Sequence, residues 1–122
     1  MSDSTTTVAA LKSLVNDFVG QRDWHQFHAP KNLSMSLAIE AAELMEHFQW
    51  ISTEESRHAA DDPERLEEIA DELADVLSYA LAMANELGVD VSTAVRRKMV
   101  KNAQKYPADE YHGRYGPEDT AK

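Results

Sequence analysis

The chain has 122 residues, a formal net charge of −10 and no cysteine. This length favours a single domain with a modest core. Without cysteine, disulfides and thiolate-bound metals are excluded, and the acidic charge argues against a nucleic acid polymer as partner. The sequence contains neither an apolar run that could span a membrane nor a basic-then-apolar leader. We therefore expect a cytoplasmic protein without a membrane partner.

The amino-terminal half predicts two helices separated by an ordered loop. Residues 1–7 are small and polar and are expected to form a flexible lead-in. Apolar side chains then recur at helical spacing and predict a first helix that ends at about Gln21. These side chains are Val8, Leu11, Leu14, Val15 and Phe18. An aromatic-rich segment with a proline follows at 22–31 and is expected to be a loop. The second helix is predicted from about Asn32, as its capping residue, to Gln49.

The next helix has clearer boundary signals. Ser52-Thr-Glu-Glu55 has the form of a capping box and predicts a short helical turn. Asp62 followed by Pro63 combines a capping acid with a proline at the first helical position. The third long helix is predicted to continue to Leu87 and to end at Gly88.

The fold is predicted to be all-α, with four main helices in a bundle. Asp90 is expected to cap the fourth helix, which runs from Val91 to about Lys105 and ends before Pro107. The helical domain then spans 8–106, and 107–122 forms an irregular tail. Because the third helix has an apolar stripe too wide for so short a chain to cover, we expect a homo-oligomer to complete the bundle.

Two of the predicted helices carry a pair of acidic residues three positions apart, where an apolar residue would be expected. The pairs are Glu40 with Glu43 and Glu72 with Asp75. Residues at this spacing lie on one helix face, offset by about 60°. Each pair lies beside an apolar stripe, in which Arg65 is the single residue that is not apolar. If the helices pack through these stripes, the four carboxylates converge.

Four converging carboxylates would repel one another and lose hydration unless they take up protons or surround a cation. Oxygen ligands on helices suit a hard divalent ion, Mg²⁺ or alternatively Mn²⁺. The competing interpretation is a non-catalytic helical interaction protein whose acidic faces are solvated and never meet. The matching geometry of the two pairs favours the metal site.

Several short motifs accompany the acid pairs between Leu11 and Pro107. They are Arg22-Asp-Trp-x-Gln-Phe-His28, Pro30-x-Asn-Leu33, Glu46-x-Phe-Gln-Trp50, Asp75-Val-Leu-Ser-Tyr79, Lys98-Met-x-x-Asn102 and Tyr106-Pro107. With the acid pairs, they resemble the MazG-like, all-α nucleoside triphosphate pyrophosphatases, and are most similar to the dCTP pyrophosphatase branch. The signature of that family is an E-x-x-E pair followed by an E-x-x-D pair.

The resemblance implies hydrolysis of a nucleoside triphosphate to the monophosphate and pyrophosphate, as part of nucleotide pool housekeeping. It implies Mg²⁺ as the cofactor, dCTP or a modified dCTP as a candidate substrate, and assembly as a dimer or tetramer. One departure is Val15, which occupies the first-helix position where the dCTP branch carries a histidine.

The resemblance also implies roles for individual residues. The magnesium ligands would be Glu40, Glu43, Glu72 and Asp75. We assign Glu43 as the general base that accepts a proton from water. Lys98 and Asn102, four positions apart, match phosphate-contacting positions. The base and sugar pocket would comprise Trp24, His28, Trp50 and Tyr79. For the loop that carries Trp24 and His28, the alternative role is to anchor the chain to the core through its aromatic side chains.

A di-iron carboxylate protein is a weaker alternative. Such a site needs Glu-x-x-His on two helices, because iron there binds imidazole as well as carboxylate. The sequence offers this motif between Glu55 and His58, away from both acid pairs.

Overall fold

The computed structural model describes residues 1–115, and these form α-helices without a β-strand. The helices are α1 (Val8–Gln21), α2 (Pro30–Glu46), α3 (Thr53–Ser56), α4 (Pro63–Leu87), α5 (Val91–Lys105) and α6 (Ala108–Tyr111). Short 3₁₀ turns occur at His25–Phe27 and Ala59–Asp61. The predicted all-α class is therefore confirmed.

In this part of the chain no helix is long and apolar enough to cross a membrane, and the cytoplasmic location stays a prediction.

The chain forms two compact units that divide after Val89. The first contains α1 to α4, and the second begins at Asp90 and contains α5 and α6. Within the first unit α4 is the central helix, because both α1 and α2 pack against it and α2 does so most extensively. The buried hydrophobic side chains come from these three helices: Val19, Leu33, Leu81, Ala82 and Ala84.

The boundaries of α3 and α4 follow the local signals in the sequence. Ser52 and Glu55 form the predicted capping box, with both reciprocal hydrogen bonds present. The Asp62 carboxylate accepts hydrogen bonds from the backbone N–H groups of Glu64 and Arg65, and Pro63 occupies the first helical position. Gly88 ends the helix at φ +68°, a left-handed conformation that costs glycine little.

The predicted start of the second helix is wrong. Pro30 occupies the first turn, where its missing N–H costs no intrahelical hydrogen bond. Asn32 therefore lies inside the helix, and its Nδ2 donates to the backbone oxygen of Phe27 at 3.2 Å instead of capping. The helix also ends at Glu46 rather than at Gln49.

The second unit begins with the predicted cap. An Asp90 carboxylate oxygen accepts from the Thr93 backbone N–H at 3.0 Å, and α5 ends at Lys105 as expected. Within the predicted irregular tail, Ala108–Tyr111 forms a single helical turn. Residues 116–122 lie outside the described residues, and the flexibility of both termini stays a prediction.

Candidate metal centre and adjoining cavity

The packing of α2 against α4 brings acidic side chains from both helices together. Glu40 and Glu43 from α2 and Glu72 from α4 each place a carboxylate oxygen within 4.8 Å of the others. All three side chains are half-buried. Asp75 is exposed and lies outside this group of three. The structure thus brings together three of the four predicted metal ligands and leaves the fourth beside them.

The electrostatics of this cluster are unfavourable for full ionisation. One oxygen of Glu40 and one of Glu72 are buried without a hydrogen-bond partner. Burial, followed by the hydrogen bond and charge of Glu43, raises the pKa of Glu40 to about 7. Burial is also the main cause that raises the pKa of Glu72. Asp75 contributes repulsion to both shifts, so its charge acts on the cluster even though it lies outside it.

The cluster fits a hard divalent cation. Its donors are carboxylate oxygens, two of which are buried without a partner, and a cation among them would compensate both the lost hydration and the repulsion. A di-iron site is not supported, because His58 lies at the surface beside Glu54 and Asp61 at 3.4 Å. Within residues 1–115, the acid cluster itself includes no histidine.

Arg65 helps to set the position of the acid helices. Its guanidinium donates to the backbone oxygen of His47, the residue that caps the end of α2. A positive charge at a helix carboxy terminus is favourable, because the carbonyl groups there lack intrahelical partners. This contact explains why an arginine interrupts the apolar stripe of α4.

A cavity of about 350 Å³ lies between α1, the following loop and α4. Its lining residues are Leu14, Val15, Phe18, Val19, Trp24, His28, Asp75, Ser78, Tyr79 and Ala82. Three of the four predicted pocket residues are in this set. The fourth, Trp50, is 87% exposed and does not line the cavity. Asp75 belongs to the cavity wall and is close enough to Glu40 and Glu72 to repel both, so the cavity adjoins the acid cluster.

Sequence reasoning missed part of the cavity wall. The sequence does not single out Ser78 and Ala82 as site residues. Ser78 lies three positions after Asp75, and Ala82 lies three positions after Tyr79, so both follow predicted site residues on the same face of α4. That spacing is the signal that would have found them. Val15 lines the cavity as well, so the position where the dCTP branch carries a histidine is an apolar part of the wall here.

The loop after α1 is anchored and also contributes to the cavity. The Trp24 backbone N–H donates to the Val19 oxygen at 3.0 Å, and its ring meets the Phe18 ring edge-on at 5.7 Å. Trp24 nevertheless stays 42% exposed, and it lines the cavity. His28 lines the cavity as well, and its Nδ1 is buried without a hydrogen-bond partner. The two roles considered for this loop are therefore compatible.

The predicted phosphate contacts belong to the second unit. Lys98 and Asn102 lie one turn apart on α5, with Lys98 exposed and Asn102 half-buried. Their spacing places both on one helix face, and their role stays a prediction.

Fold and site together define an all-α protein with a carboxylate cluster beside a ligand-sized cavity. The profile of the MazG-like family matches residues 35–115, and the chain belongs to this family. MazG-like pyrophosphatases generally depend on divalent metal ions. The resemblance found in the sequence is therefore confirmed.

Individual relatives agree with this assignment. The chain is 42% identical to dCTP pyrophosphatase 1 of Rattus norvegicus over 101 residues, which are 83% of this chain and 59% of that protein. It is 39% identical to dCTP pyrophosphatase 1 of Homo sapiens over 102 residues, 84% of this chain and 60% of that protein. The chain thus spans about three fifths of the length of these relatives. It also superimposes on a crystal structure of a pyrophosphatase from Archaeoglobus fulgidus with a TM-score of 0.77 and 37% identity, covering 88% of this chain and 98% of that one.

The raised pKa of Glu40 predicts that the metal-free protein loses stability as the pH rises. The folded-state pKa of about 7 lies above the ordinary 4.5, so the folded protein holds more protons than the unfolded chain between these values. The melting temperature in chelator should therefore fall between about pH 5 and about pH 8. Glu40→Gln removes this titration and should flatten the profile. An identical slope in the variant would contradict the assignment of Glu40 to the cluster.

Proposed function

We propose that the chain is a Mg²⁺-dependent pyrophosphohydrolase that cleaves a nucleoside triphosphate to the monophosphate and pyrophosphate, with Mn²⁺ as the alternative ion. The observation that carries this proposal is the cluster of carboxylates within 4.8 Å, adjoining a cavity of about 350 Å³. The relatives named dCTP pyrophosphatase 1 and the pyrophosphatase with the same fold support the reaction class. We propose dCTP or a modified dCTP as the substrate.

In this mechanism the four acids would hold the ion and position the reacting water. Glu40, Glu43, Glu72 and Asp75 would be its ligands, directly or through water. The bound ion would neutralise phosphate charge as the anhydride bond breaks. Glu43, which lies between Glu40 and Glu72 in the cluster, is the proposed base that would accept a proton from the reacting water.

The cavity would hold the base and sugar of the nucleotide. Trp24 and Tyr79 offer aromatic surface to a base, which can stack on such rings whatever its identity. A volume of about 350 Å³ is in the range of small-molecule sites. Asp75 lies in the wall, so a nucleoside in the cavity would direct its phosphates toward the acid cluster. Lys98 and Asn102 on α5 stay proposed as phosphate-contacting residues, as the family resemblance implies.

The acids provide the direct test of this reaction. Glu43→Gln and Asp75→Asn are each expected to lower pyrophosphate release from dCTP by about a hundredfold or more, because each removes a charged ligand or base. Circular dichroism should show that both variants stay folded. Glu67→Gln, on the exposed side of α4, is the matched control and should keep full activity.

Product analysis separates this proposal from its alternatives. Chromatography of a panel of nucleoside triphosphates incubated with Mg²⁺ should show monophosphate and pyrophosphate. Diphosphate and orthophosphate would place the cleavage at another bond. Absence of turnover, together with stabilisation by Mg²⁺, would favour a non-catalytic metal-binding protein.

His28 is expected to matter for binding rather than for folding. His28 lines the cavity, where a ring nitrogen can form a hydrogen bond with a bound nucleotide. His28→Phe keeps an aromatic ring but removes this nitrogen, so KM should rise by about five- to tenfold, as for one lost hydrogen bond. The melting temperature without nucleotide should not fall. A lower melting temperature with unchanged KM would assign His28 to the core instead.

We also propose that the chain self-associates as a dimer or tetramer. Several large apolar side chains on α4 are between 43% and 56% exposed: Leu66, Leu73, Leu77 and Leu87. On α2, Met35, Ile39 and Met45 are exposed as well. Apolar surface of this extent is typical of an interface between subunits.

Light scattering after size exclusion tests the self-association. The parent protein should have a mass of at least twice 13.7 kDa. Leu73→Glu is expected to lower the mass toward the monomer, because it would bury a charge in the contact. Ser13→Glu adds the same charge at an exposed polar position of α1 and should leave the mass unchanged. A monomeric parent protein would contradict the proposal.

A further inference from the structure

We propose that His25 and Glu86 form a positioning pair that holds the segment 22–29 against α4 and so completes the nucleotide cavity. His25 Nδ1 lies 2.6 Å from a carboxylate oxygen of Glu86. The inference depends on the proposed function for the ligand that occupies the cavity, but the contact itself does not.

The internal shape of the segment is fixed by local contacts. The Phe27 N–H donates to the Trp24 oxygen at 2.9 Å, and the His28 N–H donates to the His25 oxygen at 3.1 Å. The Gln26 side-chain amide donates to the backbone oxygen of Asp23 at 3.0 Å. These bonds span three residues, so they determine the form of the segment but not its distance from α4.

His25 gives the segment a direct side-chain contact with α4, in addition to the backbone bond and the ring contact that tie Trp24 to α1. Among the residues that the structure describes, the contact with Glu86 is the one hydrogen bond or ion pair by which a side chain of segment 22–29 reaches α4. The His25 ring also lies beside the end of α1, where its Nε2 would be 3.7 Å from a Cβ on Gly20. The imidazole thus bridges the two helices that form the cavity walls.

Both partners adjoin the cavity lining. Trp24 precedes His25 directly, and His28 follows three residues later; both line the cavity. On α4, Glu86 lies four residues after Ala82 and seven after Tyr79, on the face that supplies the opposite wall. A longer distance between His25 and Glu86 would therefore widen the cavity between its aromatic walls.

The pair should affect binding more than stability. The His25 side chain is 44% exposed and that of Glu86 is 25% exposed. A hydrogen bond or ion pair with this access to water contributes little to folding, because water competes for both groups. The geometry of the His25–Glu86 pair nevertheless sets the positions of Trp24 and His28, which line the cavity.

Steady-state kinetics with dCTP and Mg²⁺ test the pair. His25→Ala and Glu86→Ala should each raise KM by about two- to fivefold, with kcat little changed, since the acid cluster is untouched. The double variant should be no worse than the more affected single variant, because either change already breaks the contact. Glu86→Gln keeps an acceptor oxygen and should restore KM. Unchanged KM in both alanine variants, single effects that multiply, or an unrescued Glu86→Gln would each overturn the proposal.

A second measurement is independent of catalysis. In a Trp50→Phe background, Trp24 is the single tryptophan and reports the position of the segment. Glu86→Ala should increase acrylamide quenching of its fluorescence, and Glu67→Ala should not. Unaltered quenching would overturn the positioning role even if the parent enzyme hydrolyses dCTP. Increased quenching in a protein without turnover would instead reject the proposed function and leave the contact in place.

Discussion

The burial of apolar surface between α2 and α4 is the interaction on which the site depends. It places Glu40 and Glu43 opposite Glu72, although their mutual repulsion and lost hydration oppose the contact. Hydrophobic burial is not directional, so it can hold carboxylates at distances that they would not adopt in water. The raised pKa of Glu40 is a consequence of this lost hydration and repulsion.

One face of α4 arranges the parts of the site along its axis. Glu72, Asp75, Tyr79, Ala82 and Glu86 follow one another at alternating steps of three and four residues. This spacing keeps side chains on a single helix face over about 20 Å. The acid cluster, the cavity wall and the contact to the loop therefore follow one another in a fixed order along α4.

The sequence predicts best those features that a few neighbouring residues determine. The start of α4 at Asp62 and Pro63 is one example, because cap and proline act within a single turn. The prediction of Asn32 as a helix cap is wrong because an asparagine side chain can either cap a helix or bond a nearby backbone group. Here its amide donates to the backbone oxygen of Phe27. The positions of Asp75 outside the close cluster and of Trp50 outside the cavity depend on rotamers and packing, which residue spacing does not specify.

The acid cluster and the small core together link stability to ligands. Among residues 1–115 few side chains are fully buried, and the carboxylates add repulsion that the core must offset. A cation among them would turn this repulsion into attraction, and any ligand that binds only the folded state shifts the equilibrium toward folding. If the proposed metal and substrate bind at this cluster, the acids whose repulsion opposes the metal-free fold would be the groups through which these ligands stabilise it.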